Sequence, residues 1–268
     1  DTPLMVCAHS PMMRMESGSN RSGAHLGELR NLLKKYKKAY VWAGHTHTTF
    51  NYVDKSDPII ETHTVSRVTG ALWTNEYLGS NGTPRGYVAF EYDNGTISWK
   101  FKPTIYQRGK LTGKSPTPEY KYRDFDFDKD GVAKMRADGS ALTEAYQMKV
   151  YKPGEYHKNY TNLVEDKASD KNYIYVNVFL WDNKWEYPKY NGVTMEKLNY
   201  KDAYCLATYE IRNHYYSYGY RLTNHDSYGP SNNDIHTIFR APESRATGTG
   251  TVTVVDRFGN NYSSSVSW

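Results

Sequence analysis

Cysteine is almost missing from this chain: Cys7 and Cys205 are the two in 268 residues. That excludes a disulfide framework as the source of stability. Cys7 falls inside the apolar run Leu4-Met5-Val6-Cys7-Ala8 and is expected to be a small core residue. Long hydrophobic runs are missing too. Nothing approaches the roughly 20 apolar residues that span a bilayer, and mean hydropathy is −0.81, so no transmembrane segment and no signal peptide is expected. A strong excess of one charge is absent: 34 basic and 29 acidic residues give a formal net charge of +5. This is too mild to imply a nucleic-acid partner. The one dense basic cluster, Lys34-Lys35 with Lys37-Lys38, lies at the end of an expected helix, where cations meet the negative end of the dipole. There is no internal repeat of fixed period. An initiator methionine is lacking as well, and Asp1 stands almost inside the first expected strand, so the chain reads as a piece of a longer protein.

Aromatic residues are what the chain has in quantity. They make up 15% of it, with 26 tyrosines, a composition that suits strands with amphipathic faces better than a helical bundle. The first hundred residues nevertheless carry α/β character, and the expected fold class is α+β. Leu4 to Ala8 reads as a short strand of a parallel sheet. A Gly/Ser/Asn-rich loop at 17–23 precedes 24–38, where Leu26, Leu29, Leu33 and Tyr36 recur at helical spacing. Tyr40-Val41-Trp42-Ala43 follows as a second strand. Such a strand–helix–strand unit has parallel strands and a right-handed crossover. Ligands collect at the carboxyl ends of strands in open sheets of this kind.

Residues 48–53 and 59–68 are strand-like. Residues 87–92 and 96–102 form a hairpin about Asp93-Asn94-Gly95, since Asn-Gly suits a two-residue turn. Val88, Phe90 and Tyr92 alternate on one face, answered by Ile97, Trp99 and Phe101. Residues 104–142 are Pro/Gly/Lys/Asp-rich and read as a connecting segment. From 143 to 268 short strands with frequent turns suggest a β-sandwich. Its clearest strands are 146–150, 173–181, 250–256 and 261–268.

Gly44-His45-Thr46-His47 comes directly after the second strand, and His9 directly after the first. A neutral imidazole offers a lone pair to a metal near neutral pH. A lone His-x-His is usually a pair of surface residues. Here, strand order brings His9, His45 and His47 to one edge of the same sheet, and the three become candidate metal ligands. Gly44 is expected to let the backbone approach closely.

The order strand–His9–helix–strand–Gly44-His45-Thr46-His47 resembles the last two metal-binding blocks of calcineurin-like metallophosphoesterases. The likeness continues through Thr62-His63-Thr64-Val65, Gly70-Ala71-Leu72-Trp73 and Asn81-Gly82-Thr83-Pro84-Arg85-Gly86-Tyr87. It extends to Tyr175-Val176-Asn177-Val178 and Trp181-Asp182-Asn183-Lys184-Trp185, stretches similar to a bacterial branch with an extra C-terminal β domain. The resemblance implies that residues 1–103 are the C-terminal part of a metallophosphoesterase β-sandwich α/β fold, with a β-sandwich accessory domain after it. It implies two divalent ions (Mn, Fe or Zn) about 3.5–4 Å apart that activate water for attack on a phosphoester substrate. His9 and His45 would ligate one ion and His47 the other. The family's Asp-x-His, Gly-Asp and Gly-Asn-His-Asp/Glu blocks, which carry the bridging Asp and the general acid, would precede residue 1. This chain alone is therefore expected to hold at most one ion weakly and to be inactive.

Arg14, Asn20 and Arg21, in or near the loop after His9, are candidates to meet a substrate phosphate. His63, one strand beyond, is a candidate partner behind the metal ligands. Asn224-His225-Asp226 and Asp234-Ile235-His236 imitate the missing blocks in reversed order and are set aside. Asp126-x-Asp128-x-Asp130-Gly131 opens like a calcium loop, but Ala137 stands where a bidentate Glu belongs. The expected function is a metal-dependent phosphoesterase, with a glycan-binding β module using Tyr215-Tyr216-Ser217-Tyr218 as the alternative. A periplasmic or extracellular location is expected, from that resemblance and the Tyr/Asn/Ser/Gly-rich surface.

Overall fold

A computed structural model describes residues 2–12, 23, 25–45, 49–53, 58–65, 81–84, 86–103, 147–154, 172–200, 202 and 235–268. The first sheet contains β1 (Leu4–Ala8), β2 (Ala39–Ala43), β3 (Phe50–Val53) and β4 (Ile60–Thr64), with helix α1 (Leu26–Leu33) between β1 and β2. Its strand order is β1-β2-β4-β3. β1, β2 and β4 run parallel, as the crossover reading requires, and β3 returns antiparallel along β4.

The period-2 alternation of β2 gives this sheet two different faces. Ala39 and Val41 join Leu33, Ile60 and Met12 on the side covered by Leu26 and Leu29 of α1. Tyr40 and Trp42 face the other way. There Trp42 packs with Ile97 and Trp99 of a hairpin formed by β5 (Gly86–Asp93) and β6 (Thr96–Pro103). The hairpin has the expected register: Val88, Phe90 and Tyr92 pair with Phe101, Trp99 and Ile97. Asn94 and Gly95 both have positive φ, 45° and 84°, the signature of the primed turn that Asn-Gly favours.

Two sequence expectations need correction. The helix covers eight residues, not fifteen, and the described residues hold one helix against fourteen strands, so the fold is β-rich rather than α+β. After Leu33 the helix closes in tighter turns, with Lys35 N donating to Leu32 O and Tyr36 N to Leu33 O at 3.1 Å each, and β2 starts at Ala39. Cys7 is an exposed free thiol rather than a core residue. β1 is the edge strand of the described sheet, so its last residues lack a neighbour on one side.

The second half forms β7 (Met148–Tyr151), β8 (Tyr173–Val178), β9 (Lys189–Tyr190), β10 (Val193–Thr194), β11 (Glu196–Tyr200), β12 (Ile235–Pro242), β13 (Thr249–Val255) and β14 (Asn261–Ser267). They assemble into two four-stranded sheets, β11-β12-β8-β7 and β10-β9-β13-β14. Ile174, Val176 and Val178 lie fully buried with Phe239, Val252, Val254, Trp181 and Met195 between the sheets. Each such side chain contributes roughly 1.5–3 kcal/mol by leaving water. Phe101 and Val88 of the hairpin join this core, while Ile97 and Trp99 belong to the first. One hairpin therefore packs against both halves. Among the described residues no helix is long and apolar enough to cross a membrane. The expected connecting segment at 104–142 lies outside the described residues.

Candidate functional site

β1 and β2 stay in register to their last residues, Ala8 against Ala43, so the chain leaves both strands side by side. The ladder continues one step further, with Gly44 N donating to His9 O at 3.1 Å. This places the imidazoles together: His9 Nε2 lies 3.1 Å from His45 Nδ1, with ring centroids 4.9 Å apart and planes at 74°. Two nitrogens bound to one ion at 2.0–2.1 Å stand roughly 3.3 Å apart in a tetrahedral sphere. In this structure the contact is a hydrogen bond between the two rings, one nitrogen donating and the other accepting. Both residues are exposed.

His45 is itself unusual, with φ 62°. A non-glycine residue in this left-handed region carries about 1–3 kcal/mol of strain and persists only where its surroundings hold it. Gly44 does not play its expected part. A Cβ there would meet its nearest neighbour, His9 O, at an ordinary 3.9 Å, so the described contacts do not require a glycine. The strain sits one residue later. Among the described residues no three His, Cys, Asp or Glu side chains converge as a metal site. His47, Arg14, Asn20 and Arg21 lie outside the described residues. So do Asn224-His225-Asp226, the Asp126–Gly131 stretch, Tyr215–Tyr218 and Cys205.

Sequence reasoning missed a buried ionic cluster between the two halves. Glu61 on β4 is completely buried, and Arg257, from the turn between β13 and β14, grips it with both arms of its fork: Nη1 to Oε2 at 2.6 Å, Nη2 to Oε1 at 3.0 Å. Lys184 Nζ also donates to Glu61, and Arg257 reaches Asp182 Oδ2 at 3.1 Å. Burial opposes the charge on Glu61, but Arg257 and Lys184 outweigh it and hold the carboxyl far below its usual range. A carboxylate inside a short strand, directly after the apolar run Ile59-Ile60, was the available signal. Lone charges inside such runs need a partner.

His63 belongs to this cluster. Its Nδ1 donates to Asn51 Oδ1 at 2.8 Å, and its Nε2 points to Glu61 Oε2 at 3.4 Å without a hydrogen bond. The ring lies flat on Trp42, 4.3 Å between centroids at 14°. Burial pulls its pKa down from the ordinary 6.5, more strongly than Glu61 raises it. The sign for stability follows. As pH falls below 6.5 the unfolded chain protonates His63 while the folded one resists. Below 4.5 the unfolded chain also protonates Glu61 while the folded one keeps it ionised. Both contributions present at neutral pH are lost on acidification. Asp182, raised by burial above 3.8, works in the opposite sense. Urea midpoints measured from pH 8 to pH 4 are therefore expected to fall continuously below about pH 6.5. A midpoint flat from pH 7 to 5 in wild type, or a slope there unchanged in His63→Gln, contradicts this.

A second buried cluster is neutral in its donors. Asn177 of β8 gives its amide to Asn81 O at 2.7 Å and to Asp202 Oδ2 at 3.0 Å, and accepts from Thr237 Oγ1 at 2.8 Å. Asp202 also accepts from Tyr151 OH at 2.7 Å, and Asn81 Nδ2 donates to Thr49 O at 2.8 Å. Asn81 thereby ties the segment before the hairpin to both the first sheet and the sandwich.

Comparison with protein families finds a match at residues 120–262, a little over half of the chain, to the C-terminal domain of calcineurin-like phosphoesterases. The matched span includes β7 to β13 and the start of β14 and none of the three histidines. Comparison with curated proteins and with solved structures finds no match.

Proposed function

From the premise that this chain belongs to the calcineurin-like phosphoesterase family, whose C-terminal domain it contains, we propose that it works as part of a metal-dependent hydrolase of phosphate mono- or diesters. Residues 1–103 supply one rim of the catalytic domain, 104–142 connect, and 143–268 form the accessory sandwich. His9 and His45 hold one divalent ion (Mn, Fe or Zn), and His47 contributes to a second. The observation that carries this reading is the meeting of two imidazole nitrogens, 3.1 Å apart, just past the carboxyl ends of adjacent parallel strands.

A bound divalent ion polarises a phosphoryl oxygen and makes water a competent nucleophile near neutral pH. The chain's own residues do the rest. His9 and His45 offer ring nitrogens from the ends of two strands held in register. The strained backbone at His45 aims that ring. Arg14, Asn20 and Arg21, in or near the loop after His9, would meet the substrate phosphate. The β-rich accessory domain and the polar, tyrosine-rich surface favour a periplasmic or extracellular setting, which cell fractionation of the full-length gene product tests.

His45→Ala in the full-length gene product is expected to lower Mn²⁺- or Zn²⁺-dependent hydrolysis of a chromogenic phosphodiester by more than about 100-fold, since even outer partners of metal ligands are worth 10–100-fold. Undiminished turnover with unchanged metal content would remove the His pair from the mechanism.

A further inference from the structure

The turn between β13 and β14 presents Arg257 and Phe258 side by side, and both land on the aromatic layer that supports β2. The turn is rigid. Asp256, nearly buried, accepts from Phe258 N at 2.8 Å and Asn260 N at 2.9 Å through Oδ1, and from Asn260 Nδ2 at 2.8 Å and Tyr262 OH at 3.0 Å through Oδ2. The Phe258 ring meets Trp99 edge-on at 4.8 Å, and the Arg257 guanidinium lies 4.9 Å from the same ring. Trp99 in turn contacts Trp42 at 5.3 Å and His63 at 5.0 Å, and His63 is stacked on Trp42. Trp42 is three residues before His45.

We propose that Arg257 and Phe258 of the accessory sandwich are positioning residues for the His9–His45 pair. They clamp Glu61 and Trp99, and the Trp99–His63–Trp42 stack then sets where the end of β2 delivers His45. Close-packed interiors transmit displacement because they have no free volume to absorb it. Here the transmitting groups are flat rings with few alternative packings. The end of β2 is also where the backbone turns left-handed at His45, so a small shift of Trp42 changes how that ring is aimed. Misplacement of about 1 Å by a distant substitution is enough to cost on the order of 100-fold in a reacting geometry. The accessory domain would then be a working part of the metal centre rather than an appendage.

This inference rests on the pair being a metal site, and the test separates the two ideas. Co²⁺ is titrated into the full chain, following its visible absorption, for wild type, His45→Ala, Phe258→Leu, Arg257→Lys and Lys184→Met, with near-UV circular dichroism confirming the fold of each. His45→Ala is expected to abolish the band. Phe258→Leu, which leaves every ionic partner of Glu61 in place, and Arg257→Lys, which keeps the charge but loses the fork, are expected to weaken Co²⁺ binding about tenfold or more and shift the band. Lys184→Met, which removes a charge from Glu61 without touching the rings, is expected to stay within twofold. If the band survives in His45→Ala, the metal reading itself fails. If it is lost there but unchanged in folded Phe258→Leu and Arg257→Lys, the metal reading stands and the positioning role is overturned.

Discussion

Replacing Arg257 with methionine is expected to destabilise the protein by about 3–5 kcal/mol, the range found when one partner of a buried ion pair is removed. Glu61 is wholly buried and Arg257 is 6% exposed at its side chain, so solvent cannot take over the lost interaction. Two losses combine. Glu61 would lose the only fork donating to both of its oxygens among the described residues, and Asp182 would lose its contact with the same guanidinium. Lys38 and Lys184 still reach Glu61 Oε1, which places the expected value near the lower end of that range. The urea midpoint of Arg257→Met measures the effect. Adding Glu61→Met is expected to restore part of the loss, because the two lysines left without a partner, 18% and 41% exposed at their side chains, can turn toward water. A single-variant loss below about 1 kcal/mol would mean that the pair behaves as an ordinary surface bridge.

Gly82→Ala is expected to be nearly as damaging, by about 3 kcal/mol, from two independent causes. The residue has φ 77°, a conformation that costs an L-residue roughly 1–2 kcal/mol. An added Cβ would also stand 2.2 Å from Asp202 Cγ and 2.4 Å from its Oδ1. That carboxylate cannot swing aside without giving up the hydroxyl of Tyr151 and the amide of Asn177. Overpacking of this kind adds about 1–3 kcal/mol. The two substituted positions share one space, so Gly82→Ala combined with Asp202→Ala should lose less than the sum of the single variants. Thermal or urea unfolding of the four proteins decides it. Strict additivity would show that Gly82 and Asp202 do not oppose each other.

The local elements were legible because each rests on short-range physics. The turn at Asn94-Gly95 follows from which residues tolerate positive φ, and the apolar runs at 4–8 and 40–43 follow from burial in a sheet. The meeting of His9 and His45 was readable too, since a parallel crossover brings the ends of its two strands together. The excess of helix was an error of the same local kind. Periodicity through Tyr36 could not show that the helix would close in tight turns directly after Leu33. Cys7 was misplaced for a related reason: composition predicts a buried strand but not whether that strand lies at the sheet's edge.

By itself, then, the amino-acid order determined the strands, the hairpin, the β-rich character of the second half and the meeting of His9 with His45, because those depend on near neighbours, on hydrophobic period and on the parallel crossover. Only the tertiary structure decided that Glu61 would be buried beneath Arg257, that His63 would lie flat on Trp42 with one nitrogen unsatisfied, and that His45 would take a left-handed backbone. Those outcomes join residues up to 196 positions apart. A buried charge takes whichever partner the packed fold brings within reach, and no local pattern along the chain encodes which one that is.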